Sequence, residues 1–199
     1  MLKDYQTGVN YHNRAINASQ PYYNYYQYLS FRATTHFSAA NFNQLIDNAI
    51  KNYDNVDDTT KLKNQGQALL NAQTKNGINA SLMLGVTINE SAWGMSYYAK
   101  DRNNLFGIGA VDSDPDKAIR FDSVEECFKY FSYNTISSGY LNGMDWRYRG
   151  PHLGDKLSGI NVQYASDPYW GEKAASFSYT LNDNNSNKDY QKYDIAISK

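Results

Sequence analysis

The stretch Ile78-Asn-Ala-Ser-Leu-Met-Leu-Gly-Val-Thr-Ile-Asn-Glu-Ser-Ala-Trp-Gly94 decides the fold. Its apolar side chains recur at helical spacing, which predicts a largely buried helix that ends before Gly94, a residue type favoured just past helix ends. Between Lys75 and Lys100 the one formally charged side chain is Glu90, which this spacing places in the last helical turn. Burial and the negative end of the helix dipole both disfavour a carboxylate. We therefore predict that the pKa of Glu90 is raised and that it can donate a proton.

Two simpler interpretations compete with this one. A single glutamate on a helix is usually exposed to solvent, because charged side chains are rarely buried. A membrane-spanning helix needs about 18 or more apolar residues, and Asn79, Ser81 and Asn89 interrupt the run before that length. The glycine-containing motif Asn103-Asn-Leu-Phe-Gly-Ile-Gly-Ala110 follows soon afterwards, and together with it we favour a functional Glu90.

The composition fits one domain with a sugar ligand. The chain has 199 residues and a formal net charge of −1, and it lacks the clustered basic residues of nucleic-acid-binding proteins. Its 19 tyrosines and many asparagines suit sugar rings, which present apolar faces and a rim of hydroxyls, although most of the tyrosines are expected in a half-hydrated core. We predict a monomer that neither binds nucleic acid nor inserts into a membrane.

No metal and no cofactor are predicted. Cys127 is the one cysteine, which excludes an intramolecular disulfide, and its apolar helical stripe predicts that it is buried. The histidines, His12, His36 and His152, are far apart and form no ligand pair. The N-terminus has no apolar run of signal-peptide length.

The chain is predicted to form one domain with two flanking segments. Residues 1–37 are expected to be an extended lead-in packed on the domain, residues 38–182 the domain itself, and residues 183–199 a polar, loose tail. Two short strands, Asn104–Ala110 and Lys117–Phe121, are predicted around an acidic turn. One helix is predicted to begin at Ser38, a second to end at about Lys75, and a third to contain Glu90. Further helices are predicted from Ser123 to about Asn134, near His152–Ile160, and after a cap at Asp167. The fold class is therefore mainly α (α+β), a helical lobe with a small β-hairpin lobe.

Four blocks follow one another in order: Ile88-Asn-Glu-Ser-Ala-Trp-Gly94, Asn103-Asn-Leu-Phe-Gly-Ile-Gly-Ala110, Met144-Asp-Trp-Arg147 and Gln163-Tyr-Ala-Ser-Asp-Pro168. In this order they resemble the glucosaminidase domains of bacterial peptidoglycan hydrolases, glycoside hydrolase family 73, and in particular the autolysin-type members of Gram-positive bacteria. The resemblance covers the chain from about Pro21 to Leu181.

The resemblance implies a lysozyme-like fold with a cleft between its lobes. It implies a secreted or cell-wall-associated endo-β-N-acetylglucosaminidase that hydrolyses the β-1,4 bond after N-acetylglucosamine in peptidoglycan glycan strands. Glu90 matches the catalytic acid of the family, and Tyr164 matches a tyrosine that lies beside the reacting sugar. Ser166 stands where the family usually has threonine.

The second catalytic group stays open. Glycoside hydrolysis usually needs a second carboxylate. The region of the predicted hairpin offers Asp112, Asp114, Asp116 and Asp122, of which Asp112 and Asp116 are the predicted catalytic candidates, although acidic turns are also typical of plain solvated structure. Alternatively, the 2-acetamido oxygen of the substrate attacks the anomeric carbon while Tyr164 orients that group, and we favour this route.

Sugar contacts are predicted for residues in and beside the other blocks. Trp146 lies in a loop with neighbouring arginines and is predicted to stack on a sugar ring, whereas Trp170 fits the core stripe of its helix and is predicted to be structural. The full predicted substrate-binding set is Asn104, Phe106, Trp146, Tyr148 and Tyr169.

Two other functions stay open. A muramidase or lytic transglycosylase also carries a helical glutamate in a lysozyme-like fold, but the expected Gly-Leu-Met-Gln block is missing downstream. A non-catalytic glycan-binding module would use the tyrosines without cleaving the glycan. The reducing ends of digested peptidoglycan discriminate among the three.

Overall fold

The computed structural model describes residues 25–110, 117–186, 188–190 and 192–193, and this part of the chain is helical, as predicted. No helix formed by these residues is long and apolar enough to cross a membrane. The helices are α1 (Tyr25–Tyr28), α2 (Ala39–Asn52), α3 (Gly66–Asn76), α4 (Ala80–Ser91), α5 (Tyr97–Arg102), α6 (Val124–Tyr130), a π-helix (Phe131–Tyr140), α7 (Asn161–Tyr164) and α8 (Trp170–Asp183).

Helix α4 forms the centre of the molecule. Every residue from Ala80 to Ile88 is buried. The helix begins at Asn79, whose side chain accepts a hydrogen bond from the backbone N–H of Leu82 at 2.9 Å. Because α4 is surrounded on all sides, its sequence is apolar around the whole helix rather than along one stripe.

Helix α8 packs antiparallel against α4. The hydroxyl of Ser178 donates to the carbonyl of Ser81 at 3.1 Å. One turn further along, Gly85 of α4 lies directly against the carbonyl oxygen of Ala174. The N-terminal end of α8 therefore lies beside the C-terminal end of α4, where Glu90 is found.

Several predicted helix ends are confirmed. Helix α2 begins after Ser38, whose side chain accepts from the N–H of Asn41, and α3 ends at Gly77 in the left-handed conformation (φ 60°). Helix α8 begins at Trp170, later than the predicted cap at Asp167. The Asp167 carboxylate instead accepts from the N–H of Tyr169 at 2.9 Å and holds a turn before the helix.

Two predictions for the region after α6 are wrong. The helix does not end near Asn134, because a π-helix continues from Phe131 to Tyr140 where a loop was expected. The short helix predicted at 152–160 lies instead at Asn161–Tyr164. Gly154 and Gly159 have φ angles of 67° and 89°, which a right-handed helix does not contain.

The predicted β-hairpin is also wrong, since neither 104–110 nor 117–121 forms a strand in the described chain. Gly107 and Gly109 have φ angles of 61° and 77°, which break an extended run. The amide Nδ2 of Asn104 donates to the carbonyls of Ile108 and Ile119, each at 2.9 Å. The N–H of Ile119 also donates to the carbonyl of Ile108 at 2.9 Å, so the two segments are joined without forming strands. The acidic turn between these segments lies outside the described residues.

The described residues of the two flanking segments contact each other. Asp189 of the tail is 2% exposed and accepts hydrogen bonds from the hydroxyl of Thr35 and, at 2.7 Å, from the N–H of His36. The expectation of a loose tail is therefore wrong for its described residues, because Asp189 supplies an acceptor that the lead-in needs. In the lead-in, buried residues alternate with more exposed ones: Leu29, Phe31, Ala33, Thr35 and Phe37 are buried. The domain boundaries at 37/38 and 182/183 stay a prediction.

Candidate active site

Glu90 lies half-buried in the last turn of α4, as predicted. The helix ends earlier than expected, at Ser91, and the three residues that follow it are left-handed: Ala92 (φ 48°), Trp93 (φ 61°) and Gly94 (φ 75°). Left-handed conformations cost energy for residues with a side chain. Hydrogen bonds hold this turn, from Thr60 Oγ1 to the carbonyl of Trp93 and from Gly94 N to the hydroxyl oxygen of Ser91 at 2.8 Å.

Burial raises the pKa of Glu90, in the predicted direction. Two donors act against this effect, since both favour the ionised form. The indole Nε1–H of Trp170 donates to Glu90 Oε1 at 2.6 Å, and the Asn89 amide lies 3.5 Å from the same oxygen. No lysine, arginine or histidine of the described residues forms an ion pair with Glu90. The site therefore holds a carboxyl group whose proton is retained to higher pH than that of an exposed glutamate.

Aromatic rings cluster around Trp170, whose indole donates a hydrogen bond to Glu90. Trp170 packs on Tyr164, with ring centroids 4.5 Å apart and an interplanar angle of 33°. Tyr164 in turn contacts Tyr140 at 5.5 Å and the edge of Phe131 at 6.5 Å. Burial raises the pKa of Tyr164 well above its ordinary value, and a negative charge on Glu90 raises it further. Tyr164 is therefore neutral and lies close to Glu90.

The two remaining sequence blocks join the same cluster. Arg147 lies over the ring of Tyr140 at 5.1 Å and makes two hydrogen bonds of 2.8 Å to the carboxylate of Asp145. These bonds hold the pKa of Asp145 at about 2. Phe106 stacks on Phe131 with centroids 3.6 Å apart. The four blocks are therefore joined by one continuous set of contacts that ends at Glu90.

The predicted substrate-binding residues have different environments. Asn104 and Phe106 are only 1% and 6% exposed, so they shape the loop from within and the prediction that they contact a sugar is not supported. Trp146 is 71% exposed and free to meet a ligand. Tyr148 and Tyr169 are half-buried.

The candidates for a second carboxylate, a metal site and a nucleophilic thiol lie in other parts of the chain. Asp112 and Asp116 lie outside the described residues. Among the described histidines, cysteines, aspartates and glutamates, no three come together as a metal site. Cys127 is fully buried and burial raises the pKa of its thiol to about 12, so it is not a nucleophile.

One cavity of the described chain lies away from Glu90. It measures about 530 Å³ and lies between the end of α3 and α6, where Lys75, Phe121, Lys129 and Tyr133 line it. Glu90 is at the far end of α4 from this cavity, and none of its lining groups is a buried acid. We therefore place the site by the chemistry of Glu90 and not by cavity size.

Sequence reasoning missed the role of Trp170. It assigned this residue to the core, which is correct for a side chain that is 3% exposed, but core position does not account for its N–H group. A buried indole N–H needs an acceptor. In an apolar stretch with one carboxylate, Glu90 was the available candidate.

Comparisons with known proteins agree with this arrangement. The family model described as "Glucosaminidase: Mannosyl-glycoprotein endo-beta-N-acetylglucosaminidase" matches residues 66–183. Two Streptococcus pneumoniae proteins, each named as a proposed endo-beta-N-acetylglucosaminidase, are 40% identical over 133 residues; the matched region is 64% of this chain but only 19% and 18% of those longer relatives.

Solved structures of S. aureus autolysin E have a similar fold. One structure aligns with a TM-score of 0.64 at 22% identity and covers 88% of this chain and 77% of that chain. A complex of autolysin E with the muropeptide NAM-L-ALA-D-iGLU aligns with a TM-score of 0.63 at 21% identity, covering 87% of this chain and 78% of that one. A catalytic glutamate-to-alanine mutant of autolysin E, in complex with the disaccharide NAG-NAM, has a TM-score of 0.59 at 20% identity and covers 80% and 72%.

The match at 66–183 covers more than half of the chain and includes Glu90 and Tyr164. It confirms the resemblance that the four sequence blocks carry. The chain belongs to the glucosaminidase family.

Proposed function

We propose that the chain is an endo-β-N-acetylglucosaminidase that hydrolyses the β-1,4 bond after N-acetylglucosamine in peptidoglycan glycan strands. The observation that carries this proposal is the half-buried carboxyl group of Glu90, held at the end of a buried helix by the indole N–H of Trp170. Family membership supports the reaction class, and the autolysin E complexes with NAG-NAM and a muropeptide support peptidoglycan as the substrate.

Glu90 acts as the general acid. Its proton passes to the glycosidic oxygen as the bond between that oxygen and the anomeric carbon breaks, so the leaving glycan departs as an alcohol and Glu90 becomes a carboxylate. The raised pKa of Glu90 suits this role, because the carboxyl group must still hold its proton near neutral pH. In the related autolysin E, a glutamate substitution is described as a catalytic mutant, which supports the assignment.

The substrate supplies the attacking group. The 2-acetamido oxygen of the N-acetylglucosamine attacks the anomeric carbon from the opposite face and forms an oxazolinium ring, which water then opens with Glu90 as base. Tyr164 packs on the indole that holds Glu90, with ring centroids 4.5 Å apart, and its phenol is the candidate to orient the acetamido group. Asp112 and Asp116 are the candidates for the alternative route with a second carboxylate.

Sugar binding is proposed for the exposed and half-exposed aromatic residues Trp146, Tyr148 and Tyr169. Their rings can cover the apolar faces of neighbouring sugars while hydroxyl and amide groups contact the rim. The site would lie in a lysozyme-like cleft of a monomer that works outside the cell membrane, at the wall. The family relationship supports these points, and the exposure of the rings supports sugar binding.

Reducing-end analysis of digested peptidoglycan tests the function. After borohydride reduction, the wild-type digest should yield reduced N-acetylglucosamine, and Glu90→Gln should yield none. Glu126→Gln is the matched control, because Glu126 is exposed and paired with Lys129 on α6. Reduced N-acetylmuramic acid, its anhydro form, or no cleavage by the wild type would each overturn the proposal.

A further inference from the structure

We infer that Trp170 is a positioning residue for Glu90: its indole N–H holds Oε1 as an acceptor and so confines the transferable proton to Oε2. The inference rests on the proposed role of Glu90 as acid. It assigns a function to a tryptophan that packing alone would describe as core.

The argument begins with the hydrogen-bonding capacity of the two groups. An indole N–H can only donate, so the oxygen it meets at 2.6 Å must be accepting. A neutral carboxyl group has one hydroxyl oxygen and one carbonyl oxygen. The carbonyl oxygen is the stronger acceptor of the two, so the indole bond favours Oε1 as the carbonyl oxygen and Oε2 as the oxygen that carries the proton. The Asn89 amide also approaches Oε1, at 3.5 Å, and no described residue donates to Oε2.

The tryptophan is itself held in place. Its indole is 3% exposed and packs on the ring of Tyr164 at 4.5 Å, which restricts rotation of the indole plane. The backbone that carries it is fixed by the antiparallel contact of α8 with α4, where Gly85 meets Ala174 one turn from the Glu90 bond. The donor is therefore positioned before substrate binds, which is the condition for electrostatic stabilisation without reorganisation.

The hydrogen bond from Trp170 to Glu90 becomes stronger during the reaction. As the proton leaves Oε2, negative charge spreads over both oxygens of Glu90, and the bond from Trp170 changes from a neutral to a charge-assisted one. An interaction that is stronger in the transition state than in the ground state raises kcat. Loss of a hydrogen bond to a charged group corresponds to a decrease of roughly tenfold or more.

The hydrogen bond from Trp170 also affects the pKa of Glu90 and hence the pH range in which Glu90 can act as an acid. Trp170 favours the ionised form of Glu90 and so limits the rise in pKa that burial causes. The other groups that face Glu90 from the described elements are the Asn89 amide on α4 and the neutral phenol of Tyr164 on α7, and no ion pair from a described cation competes with this effect. Removing the indole N–H should therefore raise the pKa of Glu90 further.

Trp170→Phe keeps an aromatic ring and removes the donor. We expect kcat to fall about tenfold, KM to change little, and the alkaline limb of the kcat/KM profile to move to higher pH. Trp93→Phe is the control, because Trp93 is a half-buried indole near the end of α4 that contacts Tyr53 and Phe177 instead of Glu90. A lower kcat with an unmoved alkaline limb would show that Trp170 acts only through packing and would overturn the inference, as would unchanged kinetics.

A second measurement keeps Trp170 in place and so does not depend on the folding of Trp170→Phe. The chain has three tryptophans, so ¹⁵N-indole labelling gives three Nε1–H signals. The Trp170 signal should move downfield as Glu90 ionises, and it should lose this titration in Glu90→Gln, while the signal of exposed Trp146 serves as the internal reference. A Trp170 signal that does not titrate overturns the inference. An active Glu90→Gln enzyme would instead overturn the proposed function, so the two failures are distinguishable.

Discussion

Gly85 and Ala174 set the distance between the two helices of the active site. A Cβ atom added at Gly85 would lie 2.2 Å from the carbonyl oxygen of Ala174, closer than any real contact. Four residues before Ala174, α8 presents Trp170 to Glu90. The helices must approach this closely for the indole N–H to reach the carboxyl group. The site therefore requires a residue without a side chain at position 85.

Gly85→Ala should therefore destabilise the fold. Alanine is better than glycine in a helix by about 1 kcal/mol, but the clash is with backbone, which no rotamer change relieves, and such overpacking costs about 1–3 kcal/mol. Because the added atom would lie so close to backbone, we expect a cost near the upper end of that range and a net loss of about 1–2 kcal/mol in the free energy of unfolding, measured by urea denaturation, and a lower kcat. Gly143→Ala is the control, because no atom lies within 4 Å of a Cβ there. Equal stability of the two variants would contradict the argument.

The buried carboxylate of the tail gives a second stability prediction. Asp189→Ala removes the acceptor used by the Thr35 hydroxyl, the His36 N–H and the His36 ring. Leaving buried donors unpaired costs about 1–3 kcal/mol, which corresponds to a decrease in Tm of several degrees, about 2–4 °C per kcal/mol for a chain of this size.

The control for the tail is Asp183→Ala, since Asp183 is an exposed residue at the end of α8. Its Tm should stay close to that of the wild type. If Asp189→Ala melted no lower than Asp183→Ala, the tail would not contribute to the stability of the lead-in.

The sequence predicted the central helix because Glu90 is its one charge in an apolar run, and periodicity located α2, α3 and α8 within a few residues. It failed where left-handed glycines interrupt an extended run. Gly107 and Gly109 have positive φ angles, and the apolar residues around them therefore resemble a hairpin without forming one.

Long-range contacts were also beyond the sequence. Trp170 and Glu90 are 80 residues apart, and helical spacing places each on a buried face without stating which buried groups meet. The hydrogen bond between Thr35 and the tail carboxylate of Asp189 joins residues 154 apart. It could not be predicted either, because the burial of Asp189 depends on the assembled fold.

Trp146 provides a test of substrate binding. Trp146→Ala should raise KM by about 2- to 10-fold, from a stacking contribution of about 0.5–1.5 kcal/mol, with kcat nearly unchanged because stacking binds ground state and transition state alike. Tyr179→Ala is the matched loss of an exposed ring, at 57% exposure on α8, and should leave KM unaltered. A fall in kcat at constant KM would give Trp146 a different role.

The acidic turn discriminates between the two mechanisms. If the 2-acetamido oxygen is the attacking group, Asp112→Asn and Asp116→Asn should each reduce kcat far less than Glu90→Gln, which loses the transferable proton and about 10²-fold or more in rate. Single-turnover rates on purified glycan strands provide the comparison. A loss at either aspartate equal to that of Glu90→Gln would establish a second catalytic carboxylate, and its distance from Glu90 would then indicate retention or inversion.

The proton of Glu90 should also be visible in the stability of the protein. Burial raises the folded-state pKa of Glu90 above its unfolded value, near ~4.3. Below the unfolded pKa the carboxyl group is neutral in both states and carries no penalty. As pH rises through the unfolded pKa toward the folded pKa, the unfolded state ionises first and the fold loses relative stability, and above the folded pKa the penalty is constant.

Glu90→Gln should remove this penalty while its amide oxygen still accepts from Trp170. We therefore expect the mutant to gain stability relative to wild type between about pH 4.5 and about pH 8, measured as the difference in Tm at the two pH values. The control is Glu126→Gln, an exposed glutamate on α6 whose difference from wild type should not grow in this way. A Glu90→Gln protein that instead loses ground at the higher pH would mean that a cation holds Glu90 ionised in the fold, and a residue held ionised at neutral pH could not be the acid.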